Sequence, residues 1–507
     1  MKVFTTEAIR HLDKLTIKRE GITSTDLMDR AAMALFHRLR TMISPTDKVM
    51  VMAGPGNNGG DGLVVGKWLY RDGFRVTVVM CRYGKSLSPD AALQLERLKQ
   101  EKGLTLLEPA DPQALNDLEP ANIVLDALFG SGLNRPLEGP FADTVNWMNS
   151  LPAKRIAIDL PSGLFGEDNG TNPEKPVIKA DVTYCLQQPR LACLLPENEP
   201  FIGQWQVVDI GLNNEALAET DTPWSLTSTD DAALLLKPRP PFAHKGHFGH
   251  SLLIAGSPGM MGAALLAGRG ALRTGTGLLT LRVPASCLPI VQTALPEALC
   301  TTYEGPCWSN EQPIEAWSAI GVGPGLGQSN EAAEGLKALI QSDKVPLVLD
   351  ADALNILARD PDLFEYLPPK SILTPHPGEF DRLWGRKAAN GYERLQAATE
   401  MAVKAGIYIV LKGAYTACIS PDGRCHFNST GHPGMATGGS GDVLTGIIVS
   451  LLAQGYGREE ACILGTCLHG LSAELALDTE SVESLIASDI ANHLGKAFKQ
   501  LTLLTHS

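Results

Sequence analysis

Three polar loops in the N-terminal half carry side chains able to bind a small ligand, and each follows an apolar run. The first, Gly54–Gly62 (GPGNNGGDG), satisfies the GxGxxG pattern of dinucleotide-binding loops. A tight turn would explain its glycines but not the amides and carboxylate of Asn57, Asn58 and Asp61. A hydride-transfer site also places an acidic residue about 20 positions further on, to hold the ribose hydroxyls. No carboxylate follows Met80 at the end of the second strand, which disfavours classical hydride-transfer binding.

The other two loops are 126–136 (DALFGSGLNRP) and 159–164 (DLPSGL). The carboxyl ends of parallel strands form the edge of the sheet where ligands bind, so the three loops are expected to meet there. Asn58, Asp126 and Ser162 would then offer amide, carboxylate and hydroxyl oxygens, which suit a hard cation rather than a transition metal. A single aspartate at a strand end is more often a helix cap, and the prediction depends on the three loops coming together.

The C-terminal half has no GxxxxGK[ST] loop, and its candidate for phosphoryl chemistry is 437–442 (TGGSGD), just before an apolar helical run. Glycines let successive backbone N–H groups point inward at a helix N-terminus and form a site for an anion. Asp442 would then be placed to accept a proton from an attacking hydroxyl. A capped helix start with an aspartate favourable to the helix dipole explains the same residues equally well.

Further loops in this half also follow predicted strands, which places them at one cleft. Their ranges are 244–246 (HKG), 256–264 (GSPGMMGAA), 321–327 (GVGPGLG), 350–354 (DADAL), 374–379 (TPHPGE) and 412–416 (KGAYT).

The elements that must position these loops alternate between apolar strands and amphipathic helices, which predicts parallel sheets covered on both faces. Strands are predicted at 48–53, 75–80, 122–127, 155–160, 181–186 and 206–210, and again at 251–255, 278–283, 318–322, 347–350, 371–374 and 407–411. The polar, patternless stretch 213–228 separates the two series and is the predicted domain boundary. The two halves do not repeat one another, so two different α/β domains are expected.

Composition excludes several classes of function. The 507 residues carry 43 basic and 56 acidic side chains, without a basic run, so no nucleic-acid partner is expected. The ten cysteines show no zinc spacing and are expected to be reduced thiols. Residues 1–21 lack the apolar core of a signal peptide, and the longest apolar run, 443–453, is too short for a membrane span. A cytoplasmic enzyme is expected.

Together the three N-terminal motifs (GPGNNGGDG, DALFGSGL and IDLPSG) resemble the NAD(P)H-hydrate epimerases over residues 1–215, a Rossmann-like domain. The resemblance implies a potassium ion on Asn58, Asp126 and Ser162 and a catalytic role for Asp159. It also implies that the hydrated cofactor is held by Asn57, Asn58, Gly59, Gly60, Asp61, Gly130, Ser131, Gly132, Leu133, Asn134, Arg135, Pro136 and Asp159. The missing ribose-binding acid is then explained, because the nucleotide is a damaged substrate rather than a hydride donor.

The order HKGxxG, GPGLG, DADAL, TPHPGE, LKG and GGSGD resembles the ADP/ATP-dependent NAD(P)H-hydrate dehydratases, which have a ribokinase-like fold, over residues 225–507. The resemblance implies that Ala263, Gly325 and His376 lie near the hydrated nicotinamide and that Asp442 is catalytic. It places the nucleotide on Lys412, Gly413, Ala414, Tyr415, Thr416, Gly441 and Asp442. Ser440 stands where the family often has threonine, and both residues offer a hydroxyl and a backbone amide.

The resemblance therefore implies an epimerase fused to an ADP-dependent dehydratase, with Mg²⁺ on the nucleotide and hydrated NADH, hydrated NADPH and ADP as substrates. A homo-oligomer is expected, with no membrane partner. A vitamin-precursor or sugar kinase is the alternative enzyme, because the GGSGD loop alone fits either. A docking protein with an inactive first domain is the alternative of another class, but its polar loops would be expected to be eroded, and they are intact.

Overall fold

The computed structural model describes residues 1–170, 172, 176–305, 308, 317–342 and 347–505. The chain divides into two compact units. The N-terminal unit comprises Lys2–Thr222 with Asn390–Tyr392, and the C-terminal unit comprises Met1, Pro223–Ala389 and Glu393–Ser507. Within the described residues, no helix combines the length and the apolar character needed to cross a membrane.

Seven parallel strands form the sheet of the N-terminal unit, in the order β3-β2-β1-β4-β5-β6-β7. Their ranges are β1 (Lys48–Ala53), β2 (Arg75–Met80), β3 (Thr105–Leu107), β4 (Ile123–Ala127), β5 (Lys154–Ile158), β6 (Val182–Leu186) and β7 (Gln204–Val208). The strand order reverses between β1 and β4, which is the position where open α/β sheets bind ligands.

Helices cover both faces of this sheet. Successive side chains of a strand point to opposite faces. In β1, Val49 and Val51 pack into one buried cluster, whereas Met50 and Met52 pack into another. The helices of the unit are Thr6–Glu20, Ser24–Met42, Asn57–Arg71, Pro89–Lys99, Pro140–Ser150, Glu199–Ile202 and Asn214–Glu219, with 3₁₀ turns at Pro112–Asp117, Leu191–Leu194 and Pro196–Asn198.

The C-terminal unit contributes ten strands to a mixed sheet, in the order β8-β17-β16-β15-β14-β13-β12-β9-β10-β11. Their ranges are β8 (Trp224–Thr227), β9 (His250–Ile254), β10 (Leu278–Pro284), β11 (Leu299–Tyr303), β12 (Ala319–Val322), β13 (Leu347–Leu349), β14 (Ile372–Leu373), β15 (Tyr408–Leu411), β16 (Ala417–Ile419) and β17 (Cys425–Asn428). Strands β9 to β15 run parallel to one another, and β16 is antiparallel to both β15 and β17.

In this unit, helices Met261–Thr274 and Ser440–Ala453 pack with their backbones in close contact, and glycines make this contact possible. A Cβ atom on Gly446 would collide with the backbone oxygen of Ala267, and one on Gly270 would lie 2.5 Å from that of Val443. The helices of the unit are Thr229–Ala233, Met261–Thr274, Leu288–Ala294, Asn330–Ser342, Asp352–Arg359, Asp362–Glu365, Pro377–Trp384, Gly391–Ala405, Ser440–Ala453, Arg458–Ala476 and Ala487–Leu504, with 3₁₀ turns at Lys245–Phe248, Ala285–Cys287 and Pro433–Met435. The close approach fixes the start of helix Ser440–Ala453 relative to the sheet.

The predicted strands are present, with ends shifted by one or two residues, and the predicted α/β class is confirmed. The patternless reading of 213–228 is wrong. Asn213 caps the helix Asn214–Glu219 through its side chain, and Trp224–Thr227 forms a strand. The hairpin of β16 and β17 was also missed, because these short strands carry no long apolar run.

Candidate active sites

A cavity of about 1010 Å³ lies in the N-terminal unit, at the carboxyl ends of β1, β4 and β5. The predicted residues that line it are Asn57, Asn58, Asp61, Gly130, Ser131, Gly132, Leu133, Asn134, Arg135, Pro136 and Asp159. Gly59 and Gly60 do not line it, because they are buried in the first turn of helix Asn57–Arg71. The three loops singled out from the sequence thus meet at one site.

Asp159 directly follows β5 and is the most constrained polar residue of this cavity. Its backbone is left-handed, with φ of 69°, which few residues other than glycine adopt. Its carboxylate accepts hydrogen bonds from the backbone N–H of Ser131 at 2.7 Å and from the Arg190 guanidinium at 2.6 Å. Burial raises the pKa of Asp159, but Arg190 and Ser131 outweigh it and the net shift is downward. Asp159 is therefore held ionised.

Gly130 lies against the polar groups of this site. A Cβ atom built on Gly130 would lie 2.7 Å from Oδ2 of Asp159 and 3.1 Å from Oδ1 of Asn58. Only a residue without a side chain leaves these two oxygens undisturbed at the cavity wall. This explains the glycine in the second motif by a close approach rather than by a turn.

Among the cavity residues that were missed from the sequence are two that interact with Asp159, Arg190 and Asp13. Arg190 is 2% exposed and follows β6 at the same edge of the sheet, so its place after a strand was an available signal. Asp13 comes from helix Thr6–Glu20, which precedes the strand–loop series and carries no motif. Burial raises the pKa of Asp13 to about 6, and burial also raises that of Asp61 well above its usual range. Asp13 and Asp159 thus lie near the Arg190 guanidinium, and the negative charges of the same two carboxylates help to raise the pKa of Asp61.

Asp126 and Ser162 are fully buried and contact each other directly. The Asp126 carboxylate accepts hydrogen bonds from the Ser162 hydroxyl at 2.5 Å and from the Ser162 backbone N–H at 2.7 Å. Burial raises the pKa of Asp126 to about 6. Among the described residues, no lysine or arginine forms an ion pair with it, and Nδ2 of Asn58 is buried without a hydrogen-bond partner. Asp126 is therefore a buried carboxylate stabilised by neutral donors alone.

The second site lies in the C-terminal unit, where the carboxyl ends of β12, β13, β14 and β15 meet the start of helix Ser440–Ala453. Lys412, the first residue after β15, donates to Oδ1 of Asp350 at 2.9 Å. Oδ2 of Asp350 accepts from the Thr445 hydroxyl at 2.6 Å. Glu379 lies 3.8 Å from the Lys412 ammonium. Two carboxylates, Asp350 after β13 and Glu379 on helix Pro377–Trp384, therefore lie beside the Lys412 ammonium.

Asp442 lies in the first turn of helix Ser440–Ala453, preceded by Gly439 in a left-handed conformation. Its pKa is raised to about 7, mainly by burial and then by the negative charge of Asp350, while Lys412 opposes the shift. A carboxyl group with a pKa near neutrality is suited to accept and return a proton. The neighbouring Ser440 hydroxyl lies 3.3 Å from Nε2 of His469, whose pKa burial lowers to about 4.

The remaining predicted residues also follow strands of this sheet. Gly325 follows β12, and a Cβ built on it would lie 3.0 Å from the Cβ of Ala263, so this loop touches the start of helix Met261–Thr274. His376 caps helix Pro377–Trp384 by accepting from the Gly378 backbone N–H at 3.0 Å. The loop 412–416 is closed by the Thr416 hydroxyl, which donates to the oxygen of Gly413 at 3.1 Å.

These two sites define the class of the protein. One unit presents an acidic, oxygen-lined cavity at the switch point of a parallel sheet. The other presents a partly buried lysine and a carboxyl group of raised pKa at a helix N-terminus, an arrangement suited to phosphoryl groups. The molecule is a two-site α/β enzyme for nucleotide-like ligands.

Comparison with protein families matches residues 251–496 to NAD(P)H-hydrate dehydratase and residues 24–192 to the YjeF-related protein N-terminus. The chain is 34% identical over 513 residues to the bifunctional NAD(P)H-hydrate repair enzyme of Thermofilum pendens, covering 99% of this chain and 97% of that one. It is 33% identical to the Escherichia coli K12 repair enzyme, covering 94% and 89%. The chain belongs to the family of bifunctional NAD(P)H-hydrate repair enzymes. This confirms the resemblance of the motifs, over the kinase alternative.

Solved structures resemble the C-terminal unit. A ribokinase-like superfamily protein from Enterococcus faecalis V583 has a TM-score of 0.50 and 26% identity, covering 56% of this chain and 98% of that one. The ADP/ATP-dependent NAD(P)H-hydrate dehydratase of Bacillus subtilis, co-crystallised with ATP/Mg²⁺, has a TM-score of 0.49 and 34% identity, covering 54% and 98%. The first of these likenesses confirms the predicted ribokinase-like fold.

Replacing Arg190 by glutamine should destabilise the N-terminal unit by about 3–5 kcal/mol, because Asp159 would remain buried without its counter-charge. The lowered pKa of Asp159 means that the pair stabilises the fold at neutral pH. That contribution is lost as the pH falls through the folded-state pKa, so the difference between wild type and variant should shrink in acid. Urea titration with hydrogen exchange read at Val182–Leu186 measures both effects.

Arg71→Gln is the matched control, since Arg71 pairs with Glu101 at the surface with half of its side chain exposed. An Arg190 variant no less stable than the Arg71 variant would contradict the role given to the buried pair.

Proposed function

We propose that residues 1–215 form an epimerase domain, which interconverts the two epimers of hydrated NADH and NADPH. Residues 225–507 form a dehydratase domain, which dehydrates the S epimer to NAD(P)H while converting ADP to AMP and phosphate. The observation that carries the proposal is the pair of separate sites, each assembled at the carboxyl edge of its own sheet from the motifs of its own half.

In the dehydration step, the hydroxyl on C6 of the hydrated nicotinamide attacks the terminal phosphoryl group of ADP. Asp442 accepts the hydroxyl proton, and the N–H groups at the start of helix Ser440–Ala453 face the developing negative charge. Phosphate then leaves from C6, and a ring proton is lost as the double bond re-forms. Phosphate is a far better leaving group than hydroxide, which explains why a kinase-like site can drive a dehydration.

The nucleotide would lie against Lys412, Gly413, Ala414, Tyr415, Thr416 and Gly441, with Ala263, Gly325 and His376 toward the nicotinamide. Lys412 and the helix N-terminus supply fixed positive potential for the phosphates. Mg²⁺ bound with the nucleotide would neutralise further phosphate charge. The residues of the loop 412–416 fit such a ligand, because Gly413 and Ala414 are exposed and present no bulky side chain.

In the epimerase unit, Asp159 is the proposed catalytic group, since its ionised carboxylate lines the cavity and can take up a proton. Potassium is the proposed cation for Asn58, Asp126 and Ser162. Two features of these residues fit a potassium ion. The buried Asp126 carboxylate accepts hydrogen bonds only from neutral groups, and the atoms that would coordinate the cation are all oxygens. Within the described residues, no group of three or more His, Cys, Asp or Glu side chains could hold a metal ion, so a transition-metal site is not proposed. A bound cation would hold the Asn58 and Ser162 loops together.

Incubating the full chain with both epimers of hydrated NADPH and with ADP tests the function as a whole. We expect complete recovery of the near-ultraviolet absorbance of NADPH, with AMP and phosphate released in equal amounts. Without ADP, the two epimers should still interconvert, as followed by chromatography. Accumulation of a stable phosphoester without NADPH would instead identify a kinase.

Asp126→Asn should slow epimerisation and abolish its dependence on potassium, because the amide removes the negative charge that a cation would neutralise. Dehydration of the purified S epimer should be unchanged. Asp181→Asn is the control, since Asp181 lies at the opposite, amino end of the β6 strand and accepts from the Arg155 backbone at 2.7 Å. Equal loss of both activities in the Asp126 variant would point to a structural role and contradict the cation site.

Asp442→Asn should lower dehydratase turnover by about 10²–10⁴-fold, which is the usual contribution of a general base, with little change in ADP affinity. Because the base must be deprotonated, wild-type kcat/KM, which reports the free enzyme, should rise with pH and reach half of its maximum at about pH 7, the pKa of Asp442. Dehydratase assays that are stopped at fixed times, in buffers from acidic to alkaline pH, measure this acidic limb of the pH profile.

The exposed Asp422, in the turn between β16 and β17, provides the control variant Asp422→Asn. Near-normal turnover of the Asp442 variant would reduce that residue to a helix cap, and weakened ADP binding with normal turnover would make it a binding residue.

A further inference from the structure

Asp350 is buried at the carboxyl end of β13, with 1% of its surface exposed, and neither oxygen of its carboxylate is free. One oxygen accepts from the Lys412 ammonium at 2.9 Å and the other from the Thr445 hydroxyl at 2.6 Å. A buried carboxylate shared between a lysine and a threonine connects two strand ends with one helix. None of the steps described above uses it.

The Thr445 hydroxyl fixes the Asp350 carboxylate relative to helix Ser440–Ala453, whose first turn forms the proposed phosphoryl site. Thr445 lies one turn after Gly441 on this helix and is fully buried. Its hydroxyl is also 3.3 Å from the backbone oxygen of Gly441. The hydrogen bond from Thr445 therefore holds Asp350 in a fixed position relative to the first turn of this helix. The backbone N–H groups of that turn are the ones proposed to face the nucleotide phosphates.

The hydrogen bond to Asp350 holds the Lys412 ammonium beside the first turn of helix Ser440–Ala453. The ammonium nitrogen lies 3.1 Å from the position that a Cβ atom on Gly441 would occupy, and 3.8 Å from Glu379. Lysine has a flexible four-carbon side chain and a compact charge, so its position at an anion site depends on what holds it. Asp350 is the group at hydrogen-bond distance that does so.

We propose that Asp350 is a positioning residue of the dehydratase site. Its carboxylate, oriented by the Thr445 hydroxyl, holds the Lys412 ammonium beside Gly441, where the terminal phosphoryl group of ADP is transferred. This inference rests on the proposed function of the C-terminal unit. Asp350 does not touch the substrate in this arrangement and acts through Lys412.

The charges around the site agree with this role. Burial lowers the pKa of Lys412, but Asp350 and Glu379 outweigh it and keep the ammonium protonated. Asp442 is faced by Asp350, Lys412, Glu379 and Asp352, and the three carboxylates raise its pKa while Lys412 lowers it. Removing the charge of Asp350 therefore changes the protonation behaviour of Asp442 as well as the position of Lys412.

The experiment compares Asp350→Asn, Thr445→Val and Thr445→Ser with wild type in the full chain. Asp350→Asn should lower kcat for dehydration of the S epimer by about 10²-fold, the usual cost of misplacing a catalytic group by an ångström, with KM for ADP nearly unchanged. Its acidic pH limb should move to lower pH, because Asp442 loses a like-charged neighbour. Thr445→Val should lower kcat in the same direction, and Thr445→Ser should restore it.

Asp381→Asn is the matched control. Asp381 also pairs with a cation, at 2.9 Å from Arg394, on helix Pro377–Trp384 outside the phosphoryl site. Its loss should leave kcat and the pH limb unchanged. An unshifted limb in Asp350→Asn, or equal activity of the valine and serine variants, would overturn the positioning role and leave a structural one.

A second readout does not depend on activity. Labelling with an amine-reactive acyl ester, followed by mass spectrometry, reports how much of Lys412 is neutral. We expect faster labelling of Lys412 in Asp350→Asn than in wild type, and unchanged labelling overturns the proposal. If wild type releases no AMP from ADP, the proposed function fails, and the labelling result still decides whether Asp350 controls Lys412.

Discussion

A carboxylate buried at the end of a parallel strand must be compensated by nearby donors or charges, and both sites of this protein are arranged around that requirement. In the N-terminal unit, the Arg190 guanidinium and the Ser131 backbone hold Asp159 ionised at the cavity wall. In the C-terminal unit, the two oxygens of the buried Asp350 carboxylate accept hydrogen bonds from Lys412 and Thr445. The loops that carry Ser131, Arg190 and Lys412 are consequently held in place by their hydrogen bonds to buried carboxylates.

The charges and hydrogen-bond donors around each carboxylate determine the direction in which its pKa is shifted. Asp159 is paired with a cation, and its pKa is lowered, so it remains a charged group inside the cavity. Asp442 lies near one lysine that is already shared among other carboxylates, and its pKa rises to about 7. Asp126 has only neutral donors, and this favours a bound cation beside it. Three aspartates at strand-end or helix-start positions thus differ in pKa because of their surroundings, which supports the different roles proposed for them.

The two-unit organisation has a chemical consequence for a family that repairs hydrated nicotinamide cofactors. Epimerisation needs proton transfers in a polar cavity, whereas the proposed dehydration needs a nucleotide beside the substrate and a strong positive potential. The cavity of the N-terminal unit carries the carboxyl groups of Asp13, Asp61 and Asp159, whereas the site of the C-terminal unit carries Lys412 beside a helix N-terminus. Separate sheets let each potential be set independently.

The sequence by itself determined the α/β class, the positions of the main strands along the chain and the loops that meet at each site. Apolar runs followed by glycine-rich polar loops are local signals, and parallel strands carry such loops to a common edge whatever the details of packing. The sequence could not identify the strand inside 213–228 or the hairpin of β16 and β17, since these elements are stabilised by pairing with distant strands rather than by their own pattern. It also gave no reason to connect Asp13 with Asp159, or Thr445 with Asp350. Only the tertiary structure decided those contacts, because hydrogen bonds and charge interactions act over a few ångströms between residues that are far apart along the chain.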